Sequence, residues 1–269
     1  MYTYQHLIKD CQALKSQGVE VGNIGTSENG QEIPYLYFGD KCGKQIIIQG
    51  AIHAREWPTA LLVIRQVKYL SKMFCRRNNL GGIYFIPMTN PDGNIIVESC
   101  NKFYKANING VDLNTNFDAA WGHGEQNARI AGSSDFIGNY PFCQKETRAI
   151  RDFTLEVKPV LTISYHAKGQ EIYYLFNQTE EKKQRDRKIA VFVSKRLGYK
   201  LVETVGGVGY PTVSAGGYKD WCISNLGIPS LTIEIISDDY EHPLTADMLT
   251  ADEIHKHIAL PVELLKISQ

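Results

Sequence analysis

Two hydrophobic rhythms run through this chain. Leu7, Ile8, Cys11 and Leu14 fall at helical spacing, so residues 4–16 read as an opening helix. Unbroken apolar runs such as Ile46-Ile47-Ile48 and Ile83-Tyr84-Phe85-Ile86 instead mark buried strands, predicted over residues 45–49, 82–87, 160–165 and 230–235. Shorter strands are predicted over 20–25, 33–38, 171–176 and 199–203. Ser27-Glu28-Asn29-Gly30 carries the Asn-Gly hairpin signal, and Pro34 hints that the returning strand lies at an edge. Further helices are predicted over 59–74, 144–157, 180–197 and 218–225, and over 245–267 with an interruption near Pro261. Asn90-Pro91-Asp92-Gly93 reads as a turn. It opens an irregular region, about 94–142, of a length that usually carries function. Residues 205–217, with five glycines, read as a mobile loop.

Strands alternating with helices predict an α/β fold, with helices on both faces of a mixed, mostly parallel sheet. No internal repeat, low-complexity stretch or linker divides the 269 residues, so one domain over residues 1–269 is expected. Lys plus Arg (29) equals Asp plus Glu (29), a balance that gives no support to a nucleic-acid or polybasic membrane partner. No apolar run approaches a membrane span. Met1 to His6 lacks a signal-peptide pattern, so a cytoplasmic location is the expectation if the N-terminus is complete. Six scattered cysteines without a CxxC read as reduced thiols, not as a zinc site or disulfide framework.

The chemistry gathers at strand ends. His53 and Glu56 lie three apart in the loop between an apolar strand and a helix, a spacing that lets an imidazole and a carboxylate converge on one zinc ion. Alone, the same spacing fits a loop histidine beside a solvated glutamate. His166 ends another apolar strand, where α/β enzymes place site residues, and is the candidate third ligand. Glu234 lies within Leu231-Thr232-Ile233-Glu234-Ile235-Ile236. A carboxylate there is costly to bury unless paired or functional, and beside a zinc site it is the candidate general base.

These residues also carry a resemblance. The HxxE loop within residues 50–58, Thr89-Asn90-Pro91-Asp92-Gly93, Gly110-Val111-Asp112-Leu113-Asn114, His166, Gly216-Gly217 before Asp220-Trp221, and Thr232-Ile233-Glu234 follow one another as in the zinc carboxypeptidase (funnelin) family. The match covers nearly the whole chain. The resemblance implies a single three-layer α/β/α domain with a mixed sheet of about eight strands, and one zinc per chain at the C-terminal strand ends. It makes His53, Glu56 and His166 the ligands, Glu234 the general base and acid, and Asp112 the partner of the first zinc histidine. Arg55 falls at a substrate-cleft arginine.

The departures from the family pattern concern substrate. Lys105 falls at the oxyanion arginine, keeping the charge but not the bidentate fork. Asn114 is retained, but Thr115 stands where digestive members have the arginine that clamps a terminal carboxylate. The mobile cleft tyrosine maps onto Thr212, with Tyr210 as a substitute. Residues 164–174 and 217–221 look like the bacterial branch that cleaves γ-D-glutamyl-meso-diaminopimelate bonds, in which Lys105, Lys168 and Lys219 could serve acidic groups. The expectation is therefore a zinc peptidase acting on a peptide substrate, a muropeptide. The alternatives are an ordinary metallocarboxypeptidase and an inactive zinc- or peptide-binding module.

Overall fold

The computed structural model describes residues 1–73, 81–203 and 215–268. Its strands are β1 (Glu20–Thr26), β2 (Glu32–Gly39), β3 (Lys44–Gln49), β4 (Gly81–Ile86), β5 (Leu161–Ala167), β6 (Glu171–Tyr173), β7 (Lys200–Val202) and β8 (Ser230–Ile235). They form one sheet in the order β1-β2-β4-β3-β5-β8-β6-β7. The central run β4-β3-β5-β8 is parallel throughout. The β1–β2, β2–β4 and β8–β6 pairs are antiparallel, so the sheet is mixed.

Successive strand residues face opposite ways, and the two faces bury different partners. Ile46 and Ile48 join the larger apolar cluster, with Leu7 and Leu14 of α1 (Tyr4–Ser16), Val63 and Val67 of α2 (Trp57–Met73), Val193 of α5 (Glu180–Leu197) and Leu264 of α8 (Leu260–Ile267). Ile47, between them, joins the smaller cluster with Ile150 and Phe153 of α4 (Lys145–Val157) and with Tyr218 and Trp221 of α6 (Tyr218–Trp221). The larger face continues across Ile163 and Tyr165 of β5 and Ile233 and Ile235 of β8. The opposite face of those two strands is polar: Thr162, Ser164 and His166 on β5, Ser230, Thr232 and Glu234 on β8. The sheet is thus apolar behind and polar in front at its centre.

The elements follow the predicted order, with two corrections. The turn at Asn90 is a helix start. Asn90 Oδ1 accepts the Gly93 N–H at 2.9 Å, and α3 (Pro91–Ser99) follows with proline in its first turn. Its buried residues include Asp92, Gly93 and Asn94, so no apolar stripe announces it. Asn94 instead binds the N-terminal segment, accepting the Tyr4 N–H at 2.8 Å. The second correction concerns Pro34, which does not mark an edge: β2 lies between β1 and β4, and β1 is the outer strand. Pro34 sits where the β1–β2 register becomes irregular, before pairing with β4 begins at Leu36. The last helical stretch divides at Ala259 into α7 (Ala251–Ile258) and α8. Among the described residues no helix is long and apolar enough to cross a membrane.

Carboxylates anchor the first hairpin. Glu28 N–H donates to Glu146 of α4 at 3.2 Å, and Asn29 N–H to Asp92 of α3 at 2.8 Å. Burial, only partly offset by backbone donors and Asn107, pushes the Glu146 carboxyl up to about 7 from an ordinary 4.5. Between those values the folded state holds a proton that the unfolded chain releases, so this group's contribution is full below the lower value and is lost as pH rises through the upper one. Glu146→Gln should remove that loss. The difference in unfolding free energy between variant and wild type should move about 3 kcal/mol in the variant's favour from about pH 4 to about pH 8. Parallel pH profiles in denaturant titrations would refute the assignment.

Candidate metal centre

Three adjacent parallel strands end together, and each delivers one part of the site. The chain leaves β3, passes Ala51 at a φ of 48°, and makes a 3-10 turn over Ala54–Glu56. Thr59 Oγ1 pins this loop, donating to the Glu56 carbonyl and accepting the Ala51 N–H, both at 2.7 Å. The 3-10 turn sets His53 and Glu56 side by side. His166 is the penultimate residue of β5, and Glu234 is its neighbour in register on β8.

Glu56 stands between the two imidazoles. Its Oε1 is 2.7 Å from His53 Nδ1 and its Oε2 is 3.2 Å from His166 Nδ1. A ligand atom from each of the three residues lies within 4.8 Å of the others, and all three residues are buried. The outer ring nitrogens are already engaged: His53 Nε2 lies 3.1 Å from Asp112 Oδ1, and His166 Nε2 lies 3.1 Å from Ser164 Oγ. Both Nδ1 atoms and the carboxylate therefore face a common point. This is the three-ligand donor set of a catalytic zinc with an open position. One metal ion fits it.

The charges are strongly coupled. Burial alone would depress the His53 imidazole, but the Glu56 and Asp112 carboxylates raise it to about 9. Burial opposes ionisation of Glu56, yet the two histidines hold its carboxyl well below the usual range. His166 is depressed, chiefly by burial. Burial, reinforced by the nearby Glu56 charge, pushes the Glu234 carboxyl well above its ordinary value.

A cleft opens beside His53, lined by Lys105, Asp112, Asn114, Thr115, Asn127 and Asp135. Lys105 does not stand free in it. Its Nζ is 2.6 Å from Asp112 Oδ2 and 2.6 Å from Asp135 Oδ1. Asn114 uses its Oδ1 to accept the Tyr218 N–H at 3.2 Å. Thr115 is buried, and its hydroxyl donates to the Asp112 carbonyl at 2.9 Å. Arg55 lies in the 3-10 turn with a buried Nε that has no hydrogen-bond partner among the described residues. Tyr210 and Thr212 lie outside the described residues. Lys168 and Lys219 are paired within the chain, with Asp238 and Asp220 respectively.

Sequence reasoning missed the groups behind the site. Thr89 Oγ1 donates to Gln49 Oε1 at 2.6 Å, Gln49 Nε2 donates to Ser164 Oγ at 3.1 Å, and Ser164 meets His166. The signals in the sequence were the place of Thr89 in the Thr89–Gly93 motif and the alternation Thr162, Ser164, His166, which puts three polar groups on one strand face. Asp135 was missed entirely, within a region that has no periodicity.

A family model described as zinc carboxypeptidase matches residues 4–256 of this chain. The γ-D-glutamyl-L-diamino acid endopeptidase 1 of Lysinibacillus sphaericus is 28% identical over 281 aligned positions, which cover 91% of this chain and 68% of that protein. Among solved structures, carboxypeptidase A from Helicoverpa armigera superposes with a TM-score of 0.80 at 20% identity, covering 99% of this chain and 73% of its own. Bovine thrombin-activatable fibrinolysis inhibitor, in complex with tick carboxypeptidase inhibitor, superposes with a TM-score of 0.82 at 21% identity, covering 99% and 96%. Those two likenesses are of fold.

Protein purified without added metal should carry about one zinc per chain by elemental analysis, and His166→Ala should lose most of it. Ser164→Ala should keep the stoichiometry but weaken zinc affinity by roughly tenfold or more, because it releases the outer nitrogen of His166. Equal zinc in wild type and His166→Ala would remove His166 from the centre.

Proposed function

Since this chain belongs to the zinc carboxypeptidase family and is thereby a zinc metallopeptidase, we propose that it cleaves the γ-D-glutamyl-meso-diaminopimelate amide of bacterial cell-wall peptides. The observation that carries this reading is the state of Thr115. A terminal α-carboxylate buried in a cleft needs a cation, with paired charged hydrogen bonds as the strongest form. Thr115 offers none, and its hydroxyl is already spent on the Asp112 carbonyl. The cation nearby, Lys105, is matched by two carboxylates. The cleft is therefore poorly suited to a simple C-terminal residue. The sequence relative named for γ-D-glutamyl-L-diamino acid cleavage supports the same reading.

His53, Glu56 and His166 would hold the zinc, which when bound supplies a Lewis acid for hydrolysis of the amide. Asp112 and Ser164 keep the ligand rings oriented by occupying their outer nitrogens. Glu234, level with His166 on the adjoining strand, takes a proton from the attacking water in this reading and passes it to the leaving amine. Lys105 brings a positive charge beside His53, where negative charge develops on the acyl oxygen. Arg55, in the same 3-10 turn as Glu56, is a candidate for holding the acyl side of the substrate.

Glu234→Gln should keep fold and zinc while lowering kcat by about three or more orders of magnitude, at or above the usual general-base range. Near-normal turnover by that variant would end its assignment. Mass spectrometry of L-Ala-γ-D-Glu-meso-diaminopimelate against hippuryl and benzyloxycarbonyl dipeptides should show hydrolysis of the first and weak or no hydrolysis of the others. A preference for the dipeptides would leave an ordinary metallocarboxypeptidase. Zinc binding with no turnover of any substrate would leave a binding module.

A further inference from the structure

Asp135 sits in the cleft where the reading above puts the leaving diamino acid. The backbone brings it there. Asp112 N–H donates to the Phe136 carbonyl at 2.8 Å, and Ala128 N–H to the Asp135 carbonyl at 3.0 Å, so the segment carrying Asp135 runs beside the one carrying Asp112. The two carboxylates flank Lys105, each 2.6 Å from its Nζ. They differ in access. The Asp112 side chain is 1% exposed and is shared between His53 and Lys105, whereas that of Asp135 is 35% exposed. Asp135 also accepts from Ser134 Oγ at 2.8 Å.

Counting formal charges outside the metal ligands, this lining holds one ammonium and two carboxylates. It is net negative at the place where a carboxylate clamp would need net positive charge. Like charge repels a simple terminal carboxylate there, and an arriving cation is attracted. The open face of the Asp135 carboxylate is the part of this lining that a cation can reach. A diamino acid carries such a cation, its second ammonium, beyond the bond to be cut.

We propose that Asp135 is a specificity-determining residue that receives the second ammonium group of a diamino acid on the leaving side of the scissile amide. This rests on the wall-peptide reading.

The test is a three-substrate series with one acyl part, L-Ala-γ-D-Glu, and three leaving residues: meso-diaminopimelate, L-lysine and L-norleucine. The first two carry a second ammonium and the third does not. Wild type should favour the first two over the third. Asp135→Asn should lower kcat/KM for the two amines by about ten- to a hundredfold, the range of a charge-assisted hydrogen bond, and change the norleucine peptide little. Asp135→Glu should restore part of the preference. Zinc content and Tm of each variant report that the fold is retained. A uniform loss across all three substrates would overturn this inference, showing that Asp135 only steadies Lys105, and would leave the wall-peptide reading intact. Equal wild-type rates on all three would overturn it as well. Wild-type failure on every γ-D-glutamyl peptide would overturn both.

Discussion

The buried Glu56 carboxylate is the constraint on which the rest of the structure depends. An ionised carboxylate removed from water costs several kcal/mol unless it is paired and hydrogen-bonded. Here its partners come from two strands distant in sequence: His53 after β3, and His166 with the Ala167 N–H from β5. Those partners meet only if β3 and β5 pair in the observed parallel register, with Gln49 level with Ser164. A shift of one residue would turn His166 to the apolar face and leave Glu56 with His53 as its one imidazole partner.

The same register explains the two-faced character of the central strands. Ile163 and Tyr165 pack into the larger apolar cluster, while Ser164 and His166 look the other way. Behind the site the polar groups are joined, from Thr89 through Gln49 and Ser164 to His166. Such a relay holds a ring by filling its outer nitrogen, and it keeps each buried donor satisfied. His53 is held in the same manner by Asp112, whose other oxygen takes Lys105. Fold and site are therefore one network, and rigidity at the metal centre follows from the pairing of the sheet.

In the proposed reading, substrate choice is set one layer further out, by the balance of charge in the cleft. A threonine hydroxyl turned to its own backbone, and a lysine divided between two aspartates, together give a lining that repels what a carboxypeptidase clamp attracts. Catalytic parts and recognition parts are thus separable here. In the proposed reading the metal ligands and the base keep the family's positions, while the clamp position holds the uncharged Thr115.

Most of the architecture was legible in the sequence, because hydrophobic periodicity reports burial and burial is what orders strands and helices. The runs at Ile46–Ile48 and Leu231–Ile235 and the helical spacing of Leu7, Cys11 and Leu14 needed no tertiary information. The His53, Glu56 and His166 cluster was legible from the HxxE spacing taken together with a histidine at a second strand end, and the place of Glu234 on a polar strand face from the alternation Thr232, Glu234. Helix α3 was hidden because its buried side is built of Asp92, Gly93, Asn94 and Val97, held by hydrogen bonds as much as by apolar contact. Pro34 misled because an irregular register can accommodate a proline inside a sheet. Ser164 as the partner of His166, the Lys105 ammonium between Asp112 and Asp135, and the inward turn of the Thr115 hydroxyl were decided by the tertiary structure alone. Periodicity records how far each residue is removed from water. Which polar atom satisfies which other is fixed only when segments distant along the chain are packed against one another.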